Sequence, residues 1–180
     1  ISKAEDGGIR LNGGRDLVVA GSQLQAGNDV MLGATRDIAI LATEQDQVSA
    51  SGKSKSSAFG VSKMKEVRNS ASTEQVGSIL QGGNDTVLVA GRNVDVNASR
   101  IGAGRDVELH AGKLDATGDI NIVAGSDSSS SYSEKQRSKW GISNSGNFVS
   151  INTASKAGNT SEQTVNAPSE IAAGRDVRMT

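Results

Sequence analysis

The sequence predicts an all-β fold, a parallel β-helix (solenoid) with two extruded β-hairpin or loop segments. Three observations carry that reading. A short motif recurs: a glycine, one residue, an Asp or Asn, then an apolar-alternating run, clearest in Gly104-Arg105-Asp106-Val107-Glu108-Leu109-His110-Ala111. Its anchors are Asp16, Asp29, Asp37, Asp85, Asn93, Asp106, Asp119 and Asp176, stepped by 13 and 8, then by 8, 13 and 13 residues within clusters. Two Ser-rich stretches break the pattern at matching places. Self-similarity at a fixed period marks a repeat architecture, and about 20 residues suits one solenoid coil.

The 13-residue unit has an internal order. Residues one and three after the anchor are apolar, as in Leu17 and Val19 or Val94 and Val96, which is one face of a short strand. Position five is Gly or Ala (Gly21, Ala34, Ala98, Ala111), position eight is apolar (Leu24, Ile101, Leu114), and position ten is Ala (Ala26, Ala103, Ala116). The unit therefore reads as strand, tight corner, shorter strand and turn, and the 8-residue unit omits the second strand. The glycine before the anchor is expected to supply a turn conformation that a Cβ would penalise. The Asp or Asn is expected to bond its own following backbone, as Asx turns do. Helix is disfavoured, because apolar residues do not recur at helical spacing and 22 glycines oppose it.

Coils are expected over about 1–43, 77–124 and 168–180 of a single β-helix fragment, with extrusions over about 44–76 and 125–167. Each cluster begins with a similar lead-in, Gly8 to Asp16, Gly77 to Asp85 and Pro168 to Asp176. The extrusions match each other. Asp37 to Phe59 is 22 residues and Asp119 to Trp140 is 21, and Glu74-Gln75 and Glu162-Gln163 precede each return. A flexible Ser-rich loop is one reading of them. The other is a hairpin: Trp140 and Ile142 alternate, Asn144 to Asn147 offer a turn, and Val149 and Ile151 alternate again. Phe59 and Val61 begin the same pattern in the first extrusion, where the return arm is less clear.

Aromatics make up only 2% of the chain, so a globular core would lack its bulky filling, whereas stacked Val, Ile, Leu and Ala suffice for a β-helix. The net charge of -1 implies no general attraction to nucleic acid or anionic membrane. Lys53, Lys55, Lys63, Lys65 and Arg68 lie near one another with Glu66 and Glu74 among them, and read as a solvated face. Cysteine is absent, so there is neither a disulfide frame nor thiol chemistry. No segment approaches 18 apolar residues. The chain is expected to be a piece of a longer protein, since it starts without Met and stops inside a repeat.

The recurring Gly-Arg/Asn-Asp-Val motif, broken by Ser-rich segments carrying Phe/Trp-Gly-Val/Ile, resembles the haemagglutinin repeat of filamentous-haemagglutinin-type two-partner-secretion exoproteins. Within that group it is most similar to the second repeat region of CdiA-like contact-dependent growth inhibition effectors. The resemblance implies a right-handed β-helix in a large secreted protein on the bacterial cell surface. It also implies an outer-membrane secretion barrel as partner of the parent protein, adjoining repeats of the same chain, and the outer membrane or a surface receptor of a target cell. In CdiA-like proteins such a region helps deliver a C-terminal toxin; in adhesins similar repeats form a filament shaft or binding region.

No catalytic, cofactor or metal site is expected. Polysaccharide-processing β-helix enzymes need acids converging on one cleft. Here the acids fall at one turn position per coil. Gly82-Gly83-Asn84-Asp85 is similar to a calcium-binding repeat, but that motif needs a nine-residue period and a second glycine. His110, at an outward position, is the only histidine, so neither a zinc site nor a nucleophilic triad is assembled. The aromatics Phe59, Tyr132, Trp140 and Phe148 all lie in the extrusions. With Val61 and Ile142 they are candidates for membrane or partner contact, or for packing.

Overall fold

The computed structural model describes residues 2–4, 7–57, 62–113, 117–142 and 150–180, with 2–4, 140–142 and 150–153 as backbone. The strands are β1 (Ser2–Ala4), β2 (Ile9–Gly13), β3 (Leu17–Ala20), β4 (Gln23–Ala26), β5 (Val30–Ala34), β6 (Ile38–Leu41), β7 (Thr43–Ser56), β8 (Ser62–Val76) and β9 (Ile79–Gly82). They continue as β10 (Thr86–Ala90), β11 (Val94–Asn97), β12 (Arg100–Ala103), β13 (Val107–His110), β14 (Ile120–Val123), β15 (Gly125–Ile142), β16 (Ser150–Ala167), β17 (Glu170–Ala173) and β18 (Val177–Met179). Contacts divide the chain into two units. One holds residues 1–45, 74–127 and 165–180; the other holds 46–73 and 128–164.

The first unit is three parallel sheets visited in turn. β1, β4, β9, β12 and β17 form the first sheet, β2, β5, β10, β13 and β18 the second, and β3, β6, β11 and β14 the third. Each pass of the chain adds one strand to each sheet, which is a β-helix-like arrangement. The register stacks like on like. Ile9, Val30, Thr86, Val107 and Val177 align in the second sheet, as do Leu11, Leu32, Leu88, Leu109 and Met179. Leu24, Leu80, Ile101 and Ile171 align in the first, and Val19, Ile40, Val96 and Ile122 in the third. The inward residues of the inner coils form one core in which Leu32, Ile38, Ile40, Leu80, Leu88, Ile101 and Leu109 are buried, while Ile122, Val177 and Met179 stay exposed. Full burial of one such side chain is worth roughly 1.5–3 kcal/mol. Thr86 is the polar exception in the stack: its hydroxyl donates to Gly102 O at 2.7 Å and accepts from Gly82 N.

Register corrects two details of the repeat. The lead-in from Gly8 to Asp16 is not equivalent to the other two, because Ile9–Gly13 pairs with Val30–Ala34 in the second sheet while Ile79–Gly82 pairs with Gln23–Ala26 in the first. A glycine pair followed by a basic or amide residue and Asp marks two different corners, and spacing alone does not separate them. The 13-residue step from Asp106 to Asp119 likewise holds no second strand among its described residues. Ile120 pairs with Val94, so Asp119 stacks on Asn93, and the five extra residues fall between β13 and β14. Leu114 and Ala116 lie outside the described residues.

The anchors bond between coils rather than to their own following backbone. The Asp29 carboxylate accepts from the Asp85 N–H, Asp37 from Asn93, Asp85 from Asp106, and Asp106 from Asp176, at 3.2–3.3 Å. The Asn93 side-chain oxygen accepts from Asp119 N–H at 3.1 Å. Arginines directly before the anchors reach back one coil to the previous Asp: Arg36 to Asp16, Arg92 to Asp37, Arg105 to Asp85 and Arg175 to Asp106. Each is a two-pronged, charge-assisted pair.

The glycine before the anchor is also there for a different reason. At the corner between first and second sheets, Cβ atoms at Gly83, Gly104 and Gly174 would lie 2.0, 2.0 and 2.1 Å from the carbonyl oxygen of the glycine one coil earlier. Close approach of backbone to backbone excludes any side chain there. At the next corner Gly14 has open space, and Thr35 replaces glycine on the coil above. A left-handed conformation appears at the third corner, in Gly21 (φ 50°) and Ala98 (φ 43°), and after β13 in Gly112 (φ 68°).

That third corner carries a serine ladder. Ser22 N–H donates to Ser78 Oγ, Ser78 N–H to Ser99 Oγ, and Ser99 N–H to Ser169 Oγ. Ser78 Oγ donates to Leu41 O at 2.7 Å and Ser169 Oγ to Val123 O at 2.6 Å. Both extrusions leave after a third-sheet strand and return before a first-sheet strand, so these two hydroxyls close the coil where the chain departs.

The second unit is one sheet in the order β16-β15-β8-β7. β8 and β15 are antiparallel, from Ser62 opposite Lys139 to Thr73 opposite Ser128. β7 and β8 are neighbours joined by five residues, which only an antiparallel pair permits. The Ser-rich approaches are therefore strand: Ser128 to Ser131 pair with Ser70 to Thr73. The turn expected at Asn144 to Asn147 lies outside the described residues.

Two outcomes are expected. Gly104→Ala should destabilise the chain by about 1–3 kcal/mol, because a side chain is forced against backbone, while Gly14→Ala should stay within about 0.5 kcal/mol, both read from urea unfolding. The arginine pairs hold the Asp16, Asp37, Asp85 and Asp106 carboxyls below their ordinary range. A group with a lowered folded pKa stabilises above its unfolded value and loses that contribution as pH falls through the folded one. The melting temperature should accordingly hold from neutral pH to about pH 5 and fall below about pH 4; a melting temperature flat from pH 7 to pH 3 would contradict the carboxylate ladder.

Candidate interaction surface

Among the described residues of the β7, β8, β15 and β16 sheet between 46–73 and 128–164, none is buried. Without an apolar face, the register depends on polar pairs. Thr73 Oγ1 donates to Asp46 at 2.7 Å, Ser131 and Ser161 hydroxyls meet at 2.9 Å, and Lys156 pairs with Glu134 at 3.3 Å. These contacts, with side-chain alternation along a strand, assign each charged residue to a face. Lys53, Lys55, Arg68, Lys135, Arg137 and Lys139 share one face with the carboxylate of Glu66. Lys63, Lys65 and Lys156 share the other with Asp46, Glu134 and Glu162.

The two faces differ in charge. The first has six cations and one carboxylate, net +5; the second has three of each, net zero. The remaining residues of the chain carry ten cations and sixteen carboxylates, net -6. The overall value of -1 is therefore an average over unlike parts, and it conceals a basic face. The loose group of Lys53, Lys55, Lys63, Lys65 and Arg68 is also redistributed: the lysines at 63 and 65 face away, and Lys135, Arg137 and Lys139 join from the second extrusion.

Glu66 sits at the middle of the basic face. Arg68 Nη2 lies 2.5 Å and Lys135 Nζ 4.0 Å from its Oε1. The Arg68 hydrogen bond holds the Glu66 carboxyl below the ordinary range, with Lys135 and Lys53 adding to it. Beside it is a shallow depression of about 440 Å³, with Ser49, Ser51, Ser133 and Lys135 in its lining. Among the described residues, Lys55, Arg137 and Lys139 have no carboxylate partner.

Of the aromatic and apolar candidates, Tyr132 is described. It lies on the neutral face, 38% exposed, its hydroxyl bonded to Glu134, which raises the phenol pKa. Phe59, Val61 and Phe148 lie outside the described residues, and so do the side chains of Trp140 and Ile142 on β15. His110 sits at the outward position expected, with Nδ1 2.6 Å from Thr180 Oγ1. Among the described residues no group of His, Asp and Glu could hold a metal ion. No helix is long and apolar enough to cross a membrane.

Parallel coils joined by backbone and corner ladders, with a solvated sheet inserted, define a structural repeat protein. Its repeat matches a family model for the hemagglutinin repeat over residues 2–67 and 59–180, and the chain belongs to that family. The family suggests a structural segment of a large secreted two-partner-secretion exoprotein, secreted or held at the cell surface. No curated protein and no solved structure matches the chain.

Proposed function

We propose that the chain is a non-enzymatic segment of a CdiA-like toxin-delivery exoprotein, with coils that wind right-handed, and that it associates with the outer membrane of a target cell. The observation that carries the reading is the four-stranded sheet of the extrusions, solvated on both faces yet pinned by specific pairs. A shaft has no need of two matched excursions of 28 and 37 residues that form their own sheet. The Asp anchors support a non-catalytic role, because Asp16, Asp37, Asp85 and Asp106 are each engaged by an arginine and spread along the coil corners rather than converging on a cleft.

The test is flotation of the 180-residue chain with outer-membrane vesicles. The chain is expected to float with them. A chain left at the bottom of the gradient would favour the filament shaft of a haemagglutinin-type adhesin. A double variant Phe59→Ser, Trp140→Ser tells whether the aromatic candidates take part: their loss should reduce capture if they reach the membrane and leave it unchanged if they pack.

A further inference from the structure

We propose that the basic face of the extruded sheet docks on a membrane surface bearing anionic phosphate headgroups. The inference rests on the membrane-association reading and assigns the contact to Lys53, Lys55, Arg68, Lys135, Arg137 and Lys139 rather than to the aromatics.

The charge is segregated by strand alternation. Two extrusions far apart in sequence contribute to one face, three cations from the first and three from the second, while the opposite face is neutral. Solvation alone would be served by cations on either face. Like charges within a Debye length of about 8–10 Å repel one another, and Glu66 is the one carboxylate among them. An apposed layer of phosphates would relieve that repulsion.

The geometry favours a laterally extended partner. Strands about 4.8 Å apart and same-face residues about 6.7 Å apart set the cations on a two-dimensional grid. A single polyanionic strand follows a groove, and single-stranded nucleic acid asks for aromatic platforms. Tyr132 is on the other face. Five or more basic residues beside a bilayer are a known means of binding anionic lipid, each adding to the attraction. Four of the six are lysines, whose compact charges suit many headgroups rather than one bidentate ligand. Serine hydroxyls at Ser49, Ser51 and Ser133 around Glu66 and Lys135 supply further donors.

The experiment is co-sedimentation of the 180-residue chain with vesicles of phosphatidylcholine, alone or mixed with phosphatidylglycerol, at low and high salt. Binding is expected with the mixed vesicles and should fall as salt rises. A triple variant Lys55→Gln, Arg137→Gln, Lys139→Gln should bind on the order of a hundredfold more weakly. Lys63→Gln, Lys65→Gln on the neutral face should bind nearly as the parent does. Both variants should melt with the parent, since they alter exposed side chains. Equal weakening by the two variants, or binding indifferent to phosphatidylglycerol and salt, would overturn the basic-face assignment; capture by outer-membrane vesicles would then still stand. Failure to bind any vesicle, outer-membrane vesicles included, would overturn both readings. Retention on heparin without vesicle binding would point to a soluble polyanion and overturn the lipid assignment.

Discussion

The structure of the coils depends on how closely one backbone turn can lie on the next. Parallel strands hydrogen-bond at a fixed separation of about 4.8 Å, so the corners must follow the same rise. Where Gly83, Gly104 and Gly174 stack, the backbones pass so near that a Cβ has no room. The rest of the motif follows from that contact. An Asp beside the glycine can reach the N–H of its counterpart one coil on, and an Arg before it can reach back to the carboxylate it has approached. One Gly-Arg-Asp therefore serves two interfaces, and the repeat is the sequence of an interface rather than of a turn.

The three corners solve the same problem with different chemistry. The first two use carboxylates and arginines, exposed and sensitive to acid and salt. The third uses serine, buried at Ser78 and at Ser99. A hydroxyl both donates and accepts, so it can take the N–H from the preceding coil and still bond the carbonyl at the end of a third-sheet strand. Ser78 and Ser169 make that bond across 37 and 46 residues. Insertions are tolerated there because the coil is sealed by the residue on which the chain returns, and the length of chain between adds only slowly to the entropy of closure.

Strands, anchors and apolar alternation were legible because each is written locally: Leu17 and Val19, or Val107 and Leu109, show their period in three residues. Which corner an anchor occupies was not legible. Asp16 and Asp85 follow nearly the same residues, and only pairing of Leu17 with Ile38 and of Thr86 with Val30 tells them apart. The direction of the Asp side chain was misread for a related cause, since an Asx turn and an inter-coil bond call for the same residue beside the same glycine. Strands β7 and β8 were hard to see because neither carries the apolar alternation by which a half-buried strand is recognised. Val48 stands 78% exposed, and the period of this sheet is one of charge and hydroxyl.

The lack of a buried face also hides the basic face from a linear reading. In a strand with one buried face, hydrophobicity reports the alternation. In β7, β8, β15 and β16 both faces meet water, and alternation survives only in the placement of charge. Lys53 and Lys55 are separated by one serine, as Arg137 and Lys139 are, and along the chain they look like dispersed surface charge. Antiparallel pairing brings Arg137 opposite Met64 and Lys135 opposite Glu66, and it turns Lys63 and Lys65 to the far side. A near-neutral chain becomes a sheet with one face at +5 and one at zero, a difference that exists only once register is set. Net charge is a statement about the whole molecule at long range; at the distance of a Debye length, the arrangement on each face decides what is attracted.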